Sequence, residues 1–251
     1  MRTQKISFPN EQVLSVFPED ISKLPQAILE LGLSNNQPVI VLIGGEIEPQ
    51  HADVTHRAIQ TISRAAEELK AVIICGGTDM GIMAEIGQIR MKNQYKFPLV
   101  GIAPESLVTW PDGPPSTKRL WWGKERWPLA EHYSHFILVP GNQFGDESPW
   151  IVEAASMMSK GRRSVTILIN GGEVSRKDIE LSLANGRAVI VLSRTGRLAD
   201  ELSNRADRNE LLKIVPAVIE QRVVDEIKAA LTGGESDTAL DPKTEKLNSF
   251  N

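Results

Sequence analysis

Apolar residues fall along this chain in two alternating rhythms. Short, nearly unbroken apolar runs lie at residues 39–43, 71–75, 99–103, 135–139, 165–169 and 188–192. They read as strands covered on both faces, since a strand with one wet face would alternate. Between them, apolar residues recur every three or four positions. Val54, Ala58, Ile62, Ala65 and Leu69 mark one face of a helix over residues 49–70, and Ile82, Ile86 and Ile89 do the same over 81–90. Ser148 and Pro149 are an N-cap and first-turn pair for a helix over 150–159. Shorter helices are predicted over 178–184, closed by Asn185 and Gly186, and over 196–202. About six strands alternating with helices predict an α/β fold: a Rossmann-like, doubly wound, mainly parallel sheet with flanking helices.

The ends read differently. Residues 1–37 look like a lead-in whose single helix is marked by Ile21, Leu24, Ile28 and Leu31 and ended by Gly32. Residues 38–205, which hold the six predicted strands, are expected to form the main domain. Residues 206–232 are expected to be helical, bent at Pro216 and packed on that domain. Residues 233–251 are polar and predict a disordered tail. Residues 104–131 hold four of the five tryptophans, Trp110, Trp121, Trp122 and Trp127, and a segment this long is functional or a mobile excursion. A packed flap over the sheet is expected there in preference to an adenine-stacking surface.

Charge and cysteine usage narrow the function. Lys and Arg number 28 against 32 Asp and Glu, a net charge of −4, which argues against the basic stripe of a nucleic-acid binder. The lone cysteine, Cys75, excludes an internal disulfide and a cysteine-built zinc site, and reads as core. The histidines, His51, His56, His132 and His135, form no metal motif. No apolar run approaches the roughly 20 residues that span a bilayer, and the first residues lack the layout of a signal peptide. A cytoplasmic protein is expected, without membrane or nucleic-acid partners, metal, or required cofactor.

Ligands of doubly wound sheets bind at the carboxyl ends of strands, and glycines collect there in this chain. The strongest group is Gly76, Gly77, Thr78, Asp79 and Gly81. Two glycines after a strand let backbone approach a phosphate, and the following helix start offers free N–H groups. Asp79 would cap that helix or touch a ribose. Gly44, Gly45 and Glu46 end the first of the six strands. Ser193, Arg194, Thr195, Gly196 and Arg197 follow the last, where the arginines suit phosphate and Thr195 with Gly196 would form an anion nest. Gly141 and Asn142 follow the fourth, with Asn142 and Gln143 able to read a base or ribose edge. No catalytic residue is assigned; for a hydrolase, Glu153 and Glu85 are the candidate carboxylates.

In order and spacing, VIVLIGG at 39–45, ICGGTDMGI at 74–82, VGIAP at 100–104, HYSHFILV at 132–139 and TGRLAD at 195–200 resemble the SLOG domain. The version they are most similar to is that of the cytosolic region of TRPM channels and related prokaryotic proteins. The resemblance implies a Rossmannoid fold and recognition of NAD-derived nucleotides such as ADP-ribose or its cyclic variants, in a sensor rather than an enzyme. It also implies a partner surface, for a homo-oligomer or an effector protein. The wider superfamily includes lysine-decarboxylase-like phosphoribohydrolases, which cleave nucleoside monophosphates. Their signature, Pro-Gly-Gly-x-Gly-Thr-x-x-Glu, would fall near residues 140–153, where this chain reads PGNQFGDE at 140–147. The channel family carries Glu-Gly-Ser-Gly-Arg where this chain has SRTGR at 193–197, so Arg194 replaces a glycine.

Overall fold

The computed structural model describes residues 1–114, 126–160, 164–205 and 209–232. The chain opens with a hairpin of β1 (Arg2–Phe8) and β2 (Glu11–Phe17), followed by α1 (Leu24–Glu30). Then come β3 (Val39–Gly44), α2 (Ala52–Leu69), β4 (Val72–Cys75), α3 (Gly81–Lys92) and β5 (Leu99–Pro104). β6 (Val108–Thr109) and β7 (Trp127–Pro128) pair with each other outside the main sheet. Next are β8 (His135–Val139), α4 (Ser148–Ser159), β9 (Ser164–Ile169), α5 (Glu173–Ala184) and β10 (Ala188–Ser193). The described chain ends with α6 (Arg197–Ser203), β11 (Leu212–Pro216) and α7 (Glu220–Thr232).

Nine strands form one sheet in the order β1-β2-β8-β5-β4-β3-β9-β10-β11. Only β1 runs antiparallel to its neighbour; every other pairing is parallel. From β3 the chain steps outward through β4, β5 and β8, then returns to β9 on the other side of β3 and steps outward again. Right-handed crossovers in opposite directions must place their helices on opposite faces. Accordingly Ile59, Ile62, Ile82, Ile86, Val223 and Ile227 of α2, α3 and α7 share one apolar core. Leu24, Ile28, Trp150, Ile151, Ile179 and Leu198 of α1, α4, α5 and α6 share the other. The strands feed both by alternation: Ile40 and Leu42 face the first core, Val39, Val41 and Ile43 the second. The reversal of winding leaves a crevice beyond the carboxyl ends of β3 and β9, the position where such sheets take ligands.

The doubly wound parallel sheet matches the periodicity, but three strands escaped it. Residues 1–37 carry a hairpin before their helix. β1 lies at the sheet edge, so only Ile6 and Phe8 of its seven residues are buried, and its weak alternation hides it. Residues 206–232 are not one bent helix. Leu212–Pro216 pairs with β10, and Pro216 stands at the end of an edge strand, where its missing N–H is tolerated. Of the tryptophans in residues 104–131, Trp110 is buried against Phe17, ring centroids 5.8 Å apart, and Trp127 is half-buried in β7. Trp121, Trp122 and the tail 233–251 lie outside the described residues.

The hairpin is integral to the sheet. Val16 is fully buried opposite Ile137 of β8. Val16→Ala should therefore cost about 2 kcal/mol, from two methyl groups and an unfilled void. Urea denaturation measures it, and an unchanged midpoint would show the hairpin to be peripheral.

Candidate functional site

Asn170, directly after β9, organises the crevice. It is buried and adopts a left-handed backbone, φ +48°. Its side-chain Oδ1 accepts from the Gly45 N–H at 2.8 Å and from the Gly171 N–H, while Nδ2 donates to the Glu46 carbonyl at 3.1 Å. Its own N–H donates to Thr195 Oγ1, and its carbonyl accepts from the Ala199 N–H, both at 2.9 Å. Side chain and backbone of this one residue thus join the ends of β3, β9 and β10 to the start of α6.

The sequence-predicted residues around it divide. Gly44, Gly45, Gly76 and Thr78 line a cleft of about 230 Å³. Gly81 has φ +49°, and a Cβ there would run into the Gly45 carbonyl oxygen. That carbonyl accepts from the Ile82 N–H at 3.2 Å, while the Asp79 N–H is taken by Pro128. The helix start is therefore partly filled by the protein's own backbone. Gly77, φ +75°, packs against Gly101 rather than facing the cleft. Asp79 is exposed and caps nothing: the N-cap of α3 is Met80, without a side-chain bond.

The Thr195–Gly196 nest exists, but an internal anion occupies it. Asp200 Oδ1 accepts from the Arg194 N–H at 2.5 Å and Oδ2 from the Gly196 N–H at 3.1 Å. Ser193 closes β10, its carbonyl accepting from the Ala217 N–H. Arg194, φ +71°, is exposed. Arg197 is exposed as well, but its guanidinium lies beside Gly45 at the rim of the cleft. Methyl groups added to Gly45 and Gly172 would stand 3.1 and 2.9 Å from its Nη1 and Nη2, so the guanidinium lies across both glycines. Among the described residues no carboxylate pairs with it.

The remaining candidates stand elsewhere. Gly141 packs against Pro104 and Asp146, and Asn142 is exposed, its N–H bonded to Asp146 Oδ2 at 2.8 Å. Gln143 is exposed beside it. Glu85 pairs with His56 on the outer surface of α2 and α3. Glu153 is half-buried on α4, where its charge acts on Arg187. Neither carboxylate lines the cleft.

The acids that do line it are Glu147 and Asp178, in a wall otherwise made of Met80, Met83, Phe144, Ile151 and Val174. Both are buried, 6% exposed. Burial pushes the Glu147 carboxyl up to about 7, with Asp178 and Asp146 adding repulsion and the Gly145 N–H, 2.7 Å from Oε2, pulling back. Burial likewise raises Asp178 to about 6, against a smaller opposing pull from the nearby Ser148 hydroxyl and Lys177. Asp178 Oδ1 is buried without a hydrogen-bond partner of normal geometry. In the sequence Glu147 stands out only as the end of the altered PGNQFGDE segment, and Asp178 only as a helix start. Their signal was position: one precedes the α4 start by one residue, the other follows the α5 start by five, and both starts open at the switch point. Among the described residues no three metal-ligating side chains cluster, and no helix is long and apolar enough to cross a membrane.

The family described as SLOG in TRPM, prokaryote, matches residues 37–232. The chain belongs to that family. Among solved structures it is similar to a protein titled TM1055, at 17% identity and a TM-score of 0.54, covering 76% of this chain and 99% of that one. It is also similar to the molybdenum cofactor binding protein of the phototrophic bacterium Rippkaea orientalis. There the identity is 19% and the TM-score 0.52, over 78% of this chain and 98% of that one. At such identities the likeness is one of fold. No curated protein matches.

Two outcomes test this geometry. Asn170→Ala strips partners from three backbone groups, one buried and two in part-buried bonds, and strains a left-handed position, so it should cost about 2 kcal/mol in urea denaturation; a loss under about 1 kcal/mol would deny Asn170 its organising role. The raised carboxyls make the folded state hold more protons than the unfolded one between about pH 4 and 7. Stability should therefore fall as pH rises through that window. Glu147→Gln should be more stable than wild type at pH 8, by on the order of 2 kcal/mol, with the gain shrinking towards pH 5. Melting curves at both pH values check this.

Proposed function

We propose that this protein binds an NAD-derived nucleotide of the ADP-ribose kind in the switch-point cleft, as a regulatory module. The carrying observation is Arg197, an exposed guanidinium at the rim of the cleft, without a carboxylate partner among the described residues and laid across Gly45 and Gly172. Arginine presents a planar fork that matches two phosphate oxygens, and glycine on both sides leaves room for them. The apolar wall beyond it suits the less polar remainder of a nucleotide. Family membership supports the reading, as does the Rippkaea orientalis protein, which shares the fold and is a cofactor binding protein.

Glu147 favours a second reading, a phosphoribohydrolase. A carboxyl raised to about 7 within the cleft is poised for proton transfer near neutral pH. The altered PGNQFGDE segment, lacking the adjacent glycine pair and the threonine of the hydrolase signature, weighs against it.

Calorimetric titration with ADP-ribose should show saturable binding, weakened about tenfold or more in Arg197→Gln, which loses a charged bidentate contact. Unchanged affinity in that variant would overturn the phosphate assignment. The same protein incubated with AMP and with ADP-ribose should release no base; base release abolished by Glu147→Gln would replace the regulatory reading with the hydrolytic one.

A further inference from the structure

Asp79 and Asn142, the residues expected to touch a ribose, are both exposed and stand outside the cleft wall. The ionisable groups that a sugar would meet inside are Glu147 and Asp178, beside the hydroxyl residues Thr78 and Ser175. We propose that this carboxyl pair receives the vicinal hydroxyls of the sugar attached to the phosphate, so that the ligand class is a phosphorylated sugar or nucleotide with a free diol. The inference rests on phosphate lying at Arg197.

Three observations lead there. First, Asp178 Oδ1 is a buried acceptor on the cleft wall whose neighbour, the Ser148 hydroxyl, acts on it without forming a hydrogen bond of normal geometry. A buried acceptor left empty costs free energy, and a ligand that donates to it recovers that cost. Second, the demand is for donors side by side, because two carboxyls face one apolar cleft. A vicinal diol supplies two adjacent donors, whereas an adenine edge alternates donor with acceptor. Third, the two carboxyls are neighbours: the charge of Asp178 acts on Glu147, so one small polar group can meet both.

The same arrangement couples binding to protons. The charged groups around the pair are Asp146, beside Glu147, and Lys177, whose ammonium donates to the Gly145 carbonyl at 2.5 Å. The parts of β3, β4 and α3 that line the cleft bring no titratable side chain into it. Burial holds both carboxyls partly protonated in the empty cleft, whereas hydroxyl donors favour the ionised form. Binding should therefore release protons, and affinity should rise from pH 5.5 to about pH 7 and level off above it.

The test is a calorimetric cycle. ADP-ribose, and analogues lacking the 2′- and 3′-hydroxyls on one ribose or on the other, are titrated into wild type, Asp178→Asn, Glu147→Gln and Arg197→Gln, in buffers of different ionisation enthalpy. Asp178→Asn should weaken ADP-ribose about ten- to a hundredfold, yet barely weaken one of the dideoxy analogues, because the two changes remove the same contact. Glu147→Gln should couple to the same analogue, and it carries the test should Asp178→Asn not fold. Wild type should release protons on binding ADP-ribose near pH 6.5. Losses that multiply independently for both analogues, or absence of proton release, would overturn the diol assignment while leaving binding in place. An Arg197→Gln protein that binds as wild type, or a wild type that does not bind, overturns the underlying reading instead.

Discussion

The arrangement of the cleft depends on the amide of Asn170. Three strands end within reach of it, and each must turn away from its neighbours while leaving backbone groups satisfied. Asn170 meets that demand with its side chain at two strand ends, accepting from Gly45 and Gly171 and donating to Glu46, and with its backbone N–H at the third, donating to Thr195. Its left-handed backbone, a conformation asparagine tolerates better than most residues, is what aims the amide back across β3. Because the turn after β3 is fixed, Gly45 stays under Arg197 and its carbonyl stays on the start of α3.

That constraint also redistributes the chemistry. Two helix starts offer anion-binding amides in principle, and both are used internally: α3 by the Gly45 carbonyl, α6 by Asp200 and by the carbonyls of Asn170 and Gly171. Beside the start of α5, Arg197 lays a cation over Gly172. The same helix runs from that cation to the buried acid Asp178 on the cleft wall. A ligand with unlike ends suits such a gradient better than a symmetrical one.

Much of this was legible in the sequence, and the remainder was hidden for identifiable reasons. The continuous runs at 39–43, 165–169 and 188–192 gave central strands because burial on both faces writes itself as unbroken apolar sequence. β1 and β11 stayed hidden because edge strands need neither that run nor full burial. In the site, glycines announced the strand ends, and Arg197 stood out as a cation beside them. Gly76 to Gly81 was misjudged in detail, since a glycine that lets the chain cross itself reads the same as one that admits a phosphate. Glu147 and Asp178 sit 31 positions apart on different helices. Only the reversal in strand order brings them to one cleft, and no local pattern encodes that reversal.

A sheet this wide has a further consequence for the molecule in a crowded solution. Nine strands still leave two open borders, and an unpaired strand is a template for a neighbouring chain. One border presents Arg2, Thr3, Lys5 and Ser7, all exposed. The other places Lys213 midway along its edge, held by Glu226 at 2.6 Å, and ends in Pro216, which offers no N–H. Charge and proline at the borders thus discourage edge-to-edge stacking between copies.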